Sequence, residues 1–164
     1  MRAAYADPPY IGQARKHYGP GAREVNHELL ISHLLEFDAW ALSASSPSIF
    51  QIAPLLPHGT RVAAWVKPFC VFKPNVNPAY AWEPVFFFGA RKRDRSEPTV
   101  RDWVSANITL KKGCVGAKPE GFSVWLFELL GLRCNDEFID LFPGSGAVTL
   151  EWDRWSNHRG REIP

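Results

Sequence analysis

Asp7-Pro8-Pro9-Tyr10 holds three groups that could do chemistry: a carboxylate, a constrained backbone carbonyl and an aromatic face. These residues follow an alternating run, Arg2 to Ala6, that predicts a buried strand. Two consecutive prolines cannot extend a helix or a central strand, so the chain must turn at that strand's carboxyl end. In an open α/β sheet the crevice beyond the strand carboxyl ends is where ligands bind. A pair of acceptors beside an aromatic platform suits a planar heterocycle carrying an exocyclic amino group. An ordinary Pro-Pro turn closed by a surface tyrosine fits the same four residues, and both readings stay open at this point.

A second stretch, Asp140-Leu141-Phe142-Pro143-Gly144-Ser145-Gly146, reads as strand, glycine turn, helix. Glycines there let the backbone approach a ligand, and the start of the next helix offers free N–H groups. The turn lacks the third glycine of a dinucleotide fingerprint and the Gly-Lys-Ser/Thr ending of a phosphate loop. Hydride transfer and nucleotide hydrolysis are therefore disfavoured. Two basic stretches are candidates for phosphate contact. One is the glycine-rich run from Gly12 to Gly21, with Arg15 and Lys16, placed to close over a ligand at the first turn. The other is Arg91-Lys92-Arg93-Asp94-Arg95, helped by Lys111 and Lys112. Either is equally the composition of a solvated surface loop. Glu83 reads as structural, a buried partner for Lys67 or Arg91. His17, His27, His33, His58 and His158 have no ligand or triad spacing.

The elements that would position these motifs follow from hydrophobic period and breakers. After the first turn, Asn26 to Phe37 is helical, with Leu29, Leu30, His33, Leu34 and Phe37 on one face and Asn26 as cap. Ala39 to Ser43 predicts a strand, Pro47 opens a short helix ending around Pro54 to Pro57, and Arg61 to Val66 is a strand again. The order β-α-β-α-β is that of a parallel sheet with right-handed crossovers. Lys67 to Tyr80 is irregular. Trp82 to Ala90 is a strand whose run Val85-Phe86-Phe87-Phe88 must be buried on both faces. Residues 96 to 117 read as a long loop. Glu120 to Leu130 is a helix with Phe122, Trp125, Leu126, Leu129 and Leu130 inward and Gly131 as its cap. Glu137 to Phe142 is a strand and Ala147 to His158 a helix. Trp65, Trp82, Trp125 and Trp152 read as core.

With 164 residues, 46% hydrophobic and 22% charged, the chain suits one domain over residues 1–164 with a real core. Its net charge of +2 is near neutral, so any nucleic-acid contact must come from local clusters. Cys70, Cys114 and Cys134 are far apart, without CxxC or His/Cys spacing, which supports neither a disulfide framework nor a metal site. Reduced thiols and the lack of a signal-peptide or membrane-spanning run predict a soluble cytoplasmic protein.

Asp-Pro-Pro-Tyr combined with Asp-x-Phe-x-Gly-x-Gly resembles the S-adenosylmethionine-dependent amino-methyltransferases that modify the N6 of adenine. The catalytic motif precedes the cofactor motif, an order similar to the circularly permuted members, the β-type DNA adenine methyltransferases and the MT-A70-like family. Trp65-Val66-Lys67-Pro68 resembles a strand end of MT-A70-like proteins, and Trp82 to Arg91 resembles their glutamate-bearing strand. Lys118-Pro119 is similar to the family's Lys-Pro motif. The arrangement also looks like small methylase-like proteins of phages and actinobacteria, and it spans Tyr5 to Trp155.

The resemblance implies a Rossmann-like methyltransferase sheet of the α/β class, circularly permuted. It implies Asp7, Pro8, Pro9 and Tyr10 as the catalytic set. Lys118, Asp140, Phe142, Pro143, Gly144, Ser145 and Gly146 would bind S-adenosylmethionine, with Lys118 on the methionine carboxylate. Arg15, Lys16, Arg91, Lys92, Arg93 and Arg95 are the nucleic-acid candidates. The expected substrate is adenine in DNA, with RNA as the alternative, in a bacterial cell or a phage-infected host, with no metal and no membrane. The family sheet continues into a further strand whose terminal acid holds the cofactor ribose. Here the sequence reaches Pro164 where that strand would start, and Glu162 would serve only in a different register. A sheet short of its last strands allows two other readings: a degenerate fold that binds nucleic acid or protein, and a homodimer that supplies the missing edge.

Overall fold

The computed structural model describes residues 1–15, 19–70, 72, 74–109 and 117–159. Six strands form one sheet: β1 (Arg2–Ala6), β2 (Ala39–Ser43), β3 (Arg61–Val66), β4 (Trp82–Phe88), β5 (Trp103–Ser105) and β6 (Glu137–Asp140). Their spatial order is β5-β3-β4-β2-β1-β6. β1 is parallel to β2 and β6, and β3 is parallel to β5. β4 is antiparallel to both of its neighbours, β2 and β3. The helices given among the described residues are α1 (His27–Leu34), α2 (Ile49–Ile52), α3 (Glu120–Leu130) and α4 (Ala147–Arg159). The short α2 is flanked by 3-10 turns at Ser46–Ser48 and Ala53–Leu55.

The period-2 alternation of the strands divides the core into two layers. Ala3 and Tyr5 of β1, Ala39 and Ala41 of β2, Val85 and Phe87 of β4 pack under α3 and α4, through Phe122, Leu126, Phe127, Trp152 and Trp155. Ala4, Ala6, Trp40, Leu42 and Phe86 point the other way, against Leu30, Ile31 and Leu34 of α1. Asn26 caps α1 as expected, its side chain accepting from the Leu29 amide at 3.1 Å. The helix nevertheless ends at Leu34, and Leu29 is exposed while Ile31 is buried, a rotation of the apolar face by less than one turn. Gly131 closes α3 with φ +68°, and a Cβ there would lie 2.9 Å from the Arg91 Cβ, so both conformation and space require glycine.

Three expectations are corrected. The first crossover, β1-α1-β2, is parallel and β3 keeps the same direction, but antiparallel β4 is inserted between β2 and β3. The reason is the connection. Residues 67–81 contain no described helix, and a return without a crossover helix places the next strand antiparallel. Of the apolar run Val85 to Phe88, the first three residues are buried on both faces as read and Phe88 is partly exposed, a property set by the strand's central place rather than by its direction. Secondly, the stretch read as a long loop contains β5, whose three residues are too few to show a period. Thirdly, Trp82 is 40% exposed at the start of β4, whereas Trp65, Trp125 and Trp152 are core.

Cys70 and Cys134 are free thiols, and Cys114 lies outside the described residues. No helix among the described residues is long and apolar enough to cross a membrane. The chain leaves β1 toward α1 on one face and leaves β6 toward α4 on the other. Such a divergence opens a crevice between the carboxyl ends of two adjacent parallel strands.

Candidate active site

The two sequence motifs, at opposite ends of the chain, meet in this crevice. Parallel pairing of β1 and β6 sets Tyr5 opposite Asp140, and the Leu141 amide donates to the Tyr5 carbonyl at 2.9 Å. Asp7 follows two residues beyond Tyr5, so the Pro-Pro turn and the glycine turn leave the same edge side by side. Gly144 and Gly146 adopt φ +49° and +74°, which residues with a Cβ rarely do. A Cβ at Gly146 would meet nothing within 4 Å, and one at Gly144 only the Phe142 carbonyl at 3.8 Å. The glycines therefore serve backbone conformation and leave open space before the start of α4. The first-turn amides of a helix have no partner within it, which makes that space suited to an acceptor group.

Asp140 accepts from the Phe142 amide at 3.1 Å. Its pKa is raised to about 6, chiefly by burial, with the Phe142 hydrogen bond opposing and the nearby Asp7 charge adding. Beneath Asp7, the buried Tyr5 hydroxyl pairs with Ser43 Oγ at 2.7 Å, tying β1 to the end of β2. Burial, then the Asp7 charge, hold this phenol well above its ordinary pKa, so Tyr5 remains neutral.

β4 supplies what the parallel strands cannot. Running antiparallel, it brings its amino end to the edge where the others have their carboxyl ends, and Glu83 enters the site beside Lys67. One oxygen, Oε1, accepts from Lys67 Nζ at 2.8 Å. The other, Oε2, accepts from the Tyr10 hydroxyl at 2.5 Å and from Lys118 Nζ at 3.1 Å. Lys118 Nζ also lies 3.1 Å from Asp7 Oδ1 and 3.5 Å from the Tyr10 hydroxyl. Lys118 is 7% exposed, and its ammonium sits 5.0 Å from the Trp65 ring centroid and 5.6 Å from that of Phe122. Aromatic walls favour a cation there while excluding water.

The electrostatics follow from this packing. Burial alone would raise the Glu83 pKa, but Lys118 and Lys67 outweigh it and hold the carboxyl at about 2. Burial alone would lower that of Lys118, but Asp7, Tyr5 and Glu83 raise it well above the ordinary lysine range. Asp7 is raised by burial, with Lys118 offsetting part of the effect and Glu83 adding to it. The result is two ammoniums interleaved with two carboxylates, plus a third carboxylate, Asp140, one strand away.

Asp7, Tyr10, Lys118, Asp140 and the 142–146 turn thus share one edge of the sheet. Pro8 is buried and Pro9 partly so. Glu83 finds the partner expected in Lys67, while Arg91 pairs elsewhere. Arg91 binds Asp136 at 2.8 Å and the Gly131 carbonyl at 3.0 Å, and Arg93 binds the Glu128 carboxylate at 2.8 Å. Both guanidiniums tie the 91–98 segment to the end of α3. Lys92, Arg95 and Arg15 are exposed, and Lys16, Lys111, Lys112 and Glu162 lie outside the described residues. The sequence reading left Glu83 and Lys67 out of the site. A lone charge in an otherwise apolar strand was the available signal, but its destination depends on the direction of β4.

The mixed sheet and its carboxyl edge define a Rossmann-like α/β protein with a charged, aromatic-walled crevice at the switch between β1 and β6. The sequence matches no protein-family model and none of the curated proteins. Among solved structures, the chain is similar to the crystal structure of the M1.HpyAVI–SAM complex, with a TM-score of 0.66 and 16% identity over 95% of this chain and 78% of that one. It is also similar to the crystal structure of M1.HpyAVI, with a TM-score of 0.61 and 18% identity over 95% of this chain and 77% of that one. At such identities the likeness is one of fold, and the methyltransferase-like α/β sheet expected from the motifs is the fold observed.

Proposed function

We propose that this protein binds S-adenosylmethionine and transfers its methyl group to the N6 amino group of adenine in DNA. The observation that carries the reading is the meeting of the Asp7 turn and the glycine turn on adjacent strands of one crevice. The likeness to a structure determined with SAM supports the same ligand here.

The residues present fit that cofactor. The open space at Gly144 and Gly146 admits a nucleoside against the backbone, Asp140 and Asp7 offer negative charge to a ligand bearing ammonium and sulfonium groups, and Lys118 offers a cation to a carboxylate. When bound, S-adenosylmethionine supplies an electrophilic methyl carried on a sulfonium. The protein's own task is to prepare the nucleophile, because the adenine amino lone pair is delocalised into the ring. Asp7 and the Pro8 carbonyl accept the two amino hydrogens, which biases the nitrogen toward tetrahedral geometry and localises that lone pair. Tyr10, with its hydroxyl fixed on Glu83, presents its ring to an adenine that has left its stack. Positioning supplies most of the remaining rate. Exposed Lys92, Arg95 and Arg15 are the phosphate contacts in this reading.

One observation favours a second reading, a non-catalytic binding module. Asp7 Oδ1, on the proposed amino acceptor, is already engaged by Lys118 Nζ at 3.1 Å. Calorimetry with S-adenosylmethionine separates the two. Micromolar binding that Gly144→Asp removes, followed by methyl transfer to adenine-containing DNA that Asp7→Ala abolishes, is expected of the enzyme; parallel assays on RNA settle the substrate. No binding to the monomer or to any assembled form would leave the binding module.

A further inference from the structure

Lys118 stands where one ammonium serves two anionic claims. It contacts Asp7 and Glu83 at the same 3.1 Å, within walls formed by Trp65, Phe122 and Tyr10. A buried ammonium must keep an anionic partner, because desolvation without one costs several kcal/mol. Glu83 meets that need independently of Asp7. It is locked in place by Lys67 at 2.8 Å and Tyr10 at 2.5 Å, and the described hydrogen bonds of these two side chains go to Glu83 and Lys118 rather than to Asp7. Among the described residues, the ion pairs of Asp7 are with Lys118 alone. The contact to Asp7 becomes exchangeable when a ligand brings both a carboxylate for Lys118 and positive charge for Asp7, so that neither buried group is left unpaired. While it lasts, an ammonium engages Asp7 Oδ1 and draws on the charge with which Asp7 would accept an amino hydrogen.

Building on the methyltransferase reading, we propose that Lys118 couples the two ligands of the crevice. Without a ligand carboxylate it neutralises Asp7 and weakens it as an acceptor for the amino group, and with one it keeps Glu83, turns to the ligand and frees Asp7. The cofactor's carboxylate thereby acts as an allosteric signal to the adenine site, enforcing cofactor-first binding. Lys118 is a positioning residue in this scheme, acting on adenine only through Asp7. The coupling needs no movement of backbone, only the exchange of one partner of one ammonium.

The test is binding, not turnover. An adenine-containing single-stranded oligonucleotide, with a thymine-substituted control, is titrated into the 164-residue protein by calorimetry. Saturating S-adenosylhomocysteine is compared with its decarboxylated analogue. S-adenosylhomocysteine is expected to tighten the adenine-dependent binding about tenfold, within the usual range for coupled sites, and the decarboxylated analogue to leave it unchanged. Lys118→Met should remove the difference between the two. Equal tightening by both nucleosides, or no adenine-dependent binding with both bound, overturns the coupling while leaving cofactor recognition intact. Failure of both nucleosides to bind overturns the methyltransferase reading and the coupling with it. The wild-type comparison decides the matter even if Lys118→Met does not fold.

Discussion

Replacing Glu83 by Gln tests whether the charge network is as interdependent as its geometry states. The substitution keeps shape but removes the charge shared by Lys67, Lys118 and Tyr10, and it turns an amide donor toward two ammoniums. The Glu83 pKa lies at about 2 against an ordinary 4.5, a depression that corresponds to ~3 kcal/mol of stability at neutral pH. The side chain is 15% exposed and Lys67 10%, so solvent screening is modest. A depressed carboxyl contributes its full stability above the unfolded pKa and loses it as pH falls from about 4.5 toward 2. Urea denaturation of wild type and Glu83→Gln at pH 7 should therefore differ by ~3 kcal/mol, narrowing to ~1 kcal/mol at pH 3. The difference between proteins cancels the titrating groups outside this network, while Asp7, which Glu83 also shifts, stays within the measured effect. A loss of the same size at both pH values would refute the reasoning, because it would assign the effect to packing rather than to the ionised carboxylate.

Two further predictions concern ligands. Asp140, raised to about 6, protonates as pH falls through that value, so affinity for S-adenosylmethionine should weaken from pH 7.5 to pH 5 and lose one protonation-linked component in Asp140→Asn; a flat calorimetric profile in the wild type removes Asp140 from the site. The double substitution of exposed Lys92 and Arg95 by Gln should lower the salt slope of DNA binding by about 2 with little change in melting temperature. Arg91→Ala should instead lower melting temperature, since Arg91 anchors Asp136 and the end of α3.

The elements were legible where local signals agree. β1, β2 and β3 fall at the boundaries their alternation and flanking breakers predict, and α3 runs between Pro119 and Gly131 as capping chemistry requires. β5 was illegible because three half-exposed residues carry no period. Phe127, fully buried between α3 and α4, was missed as core because the second helix covers a side of α3 that a single inward face leaves to solvent.

What the sequence by itself determined were the two turns and their chemistry. Proline geometry ends β1 at Asp7 whatever surrounds it, and glycines at 144 and 146 accept positive φ whatever they face. The tertiary structure alone decided that these turns adjoin, through parallel pairing of strands from opposite ends of the chain. It also decided the direction of β4, which delivers Glu83 to Lys67, Lys118 and Tyr10. Both are non-local: strand neighbours and strand direction are set by how layers bury their apolar faces together, and no window of sequence contains that information. The consequence is chemical, since the lysine before α3 becomes a buried cation held between Asp7 and Glu83.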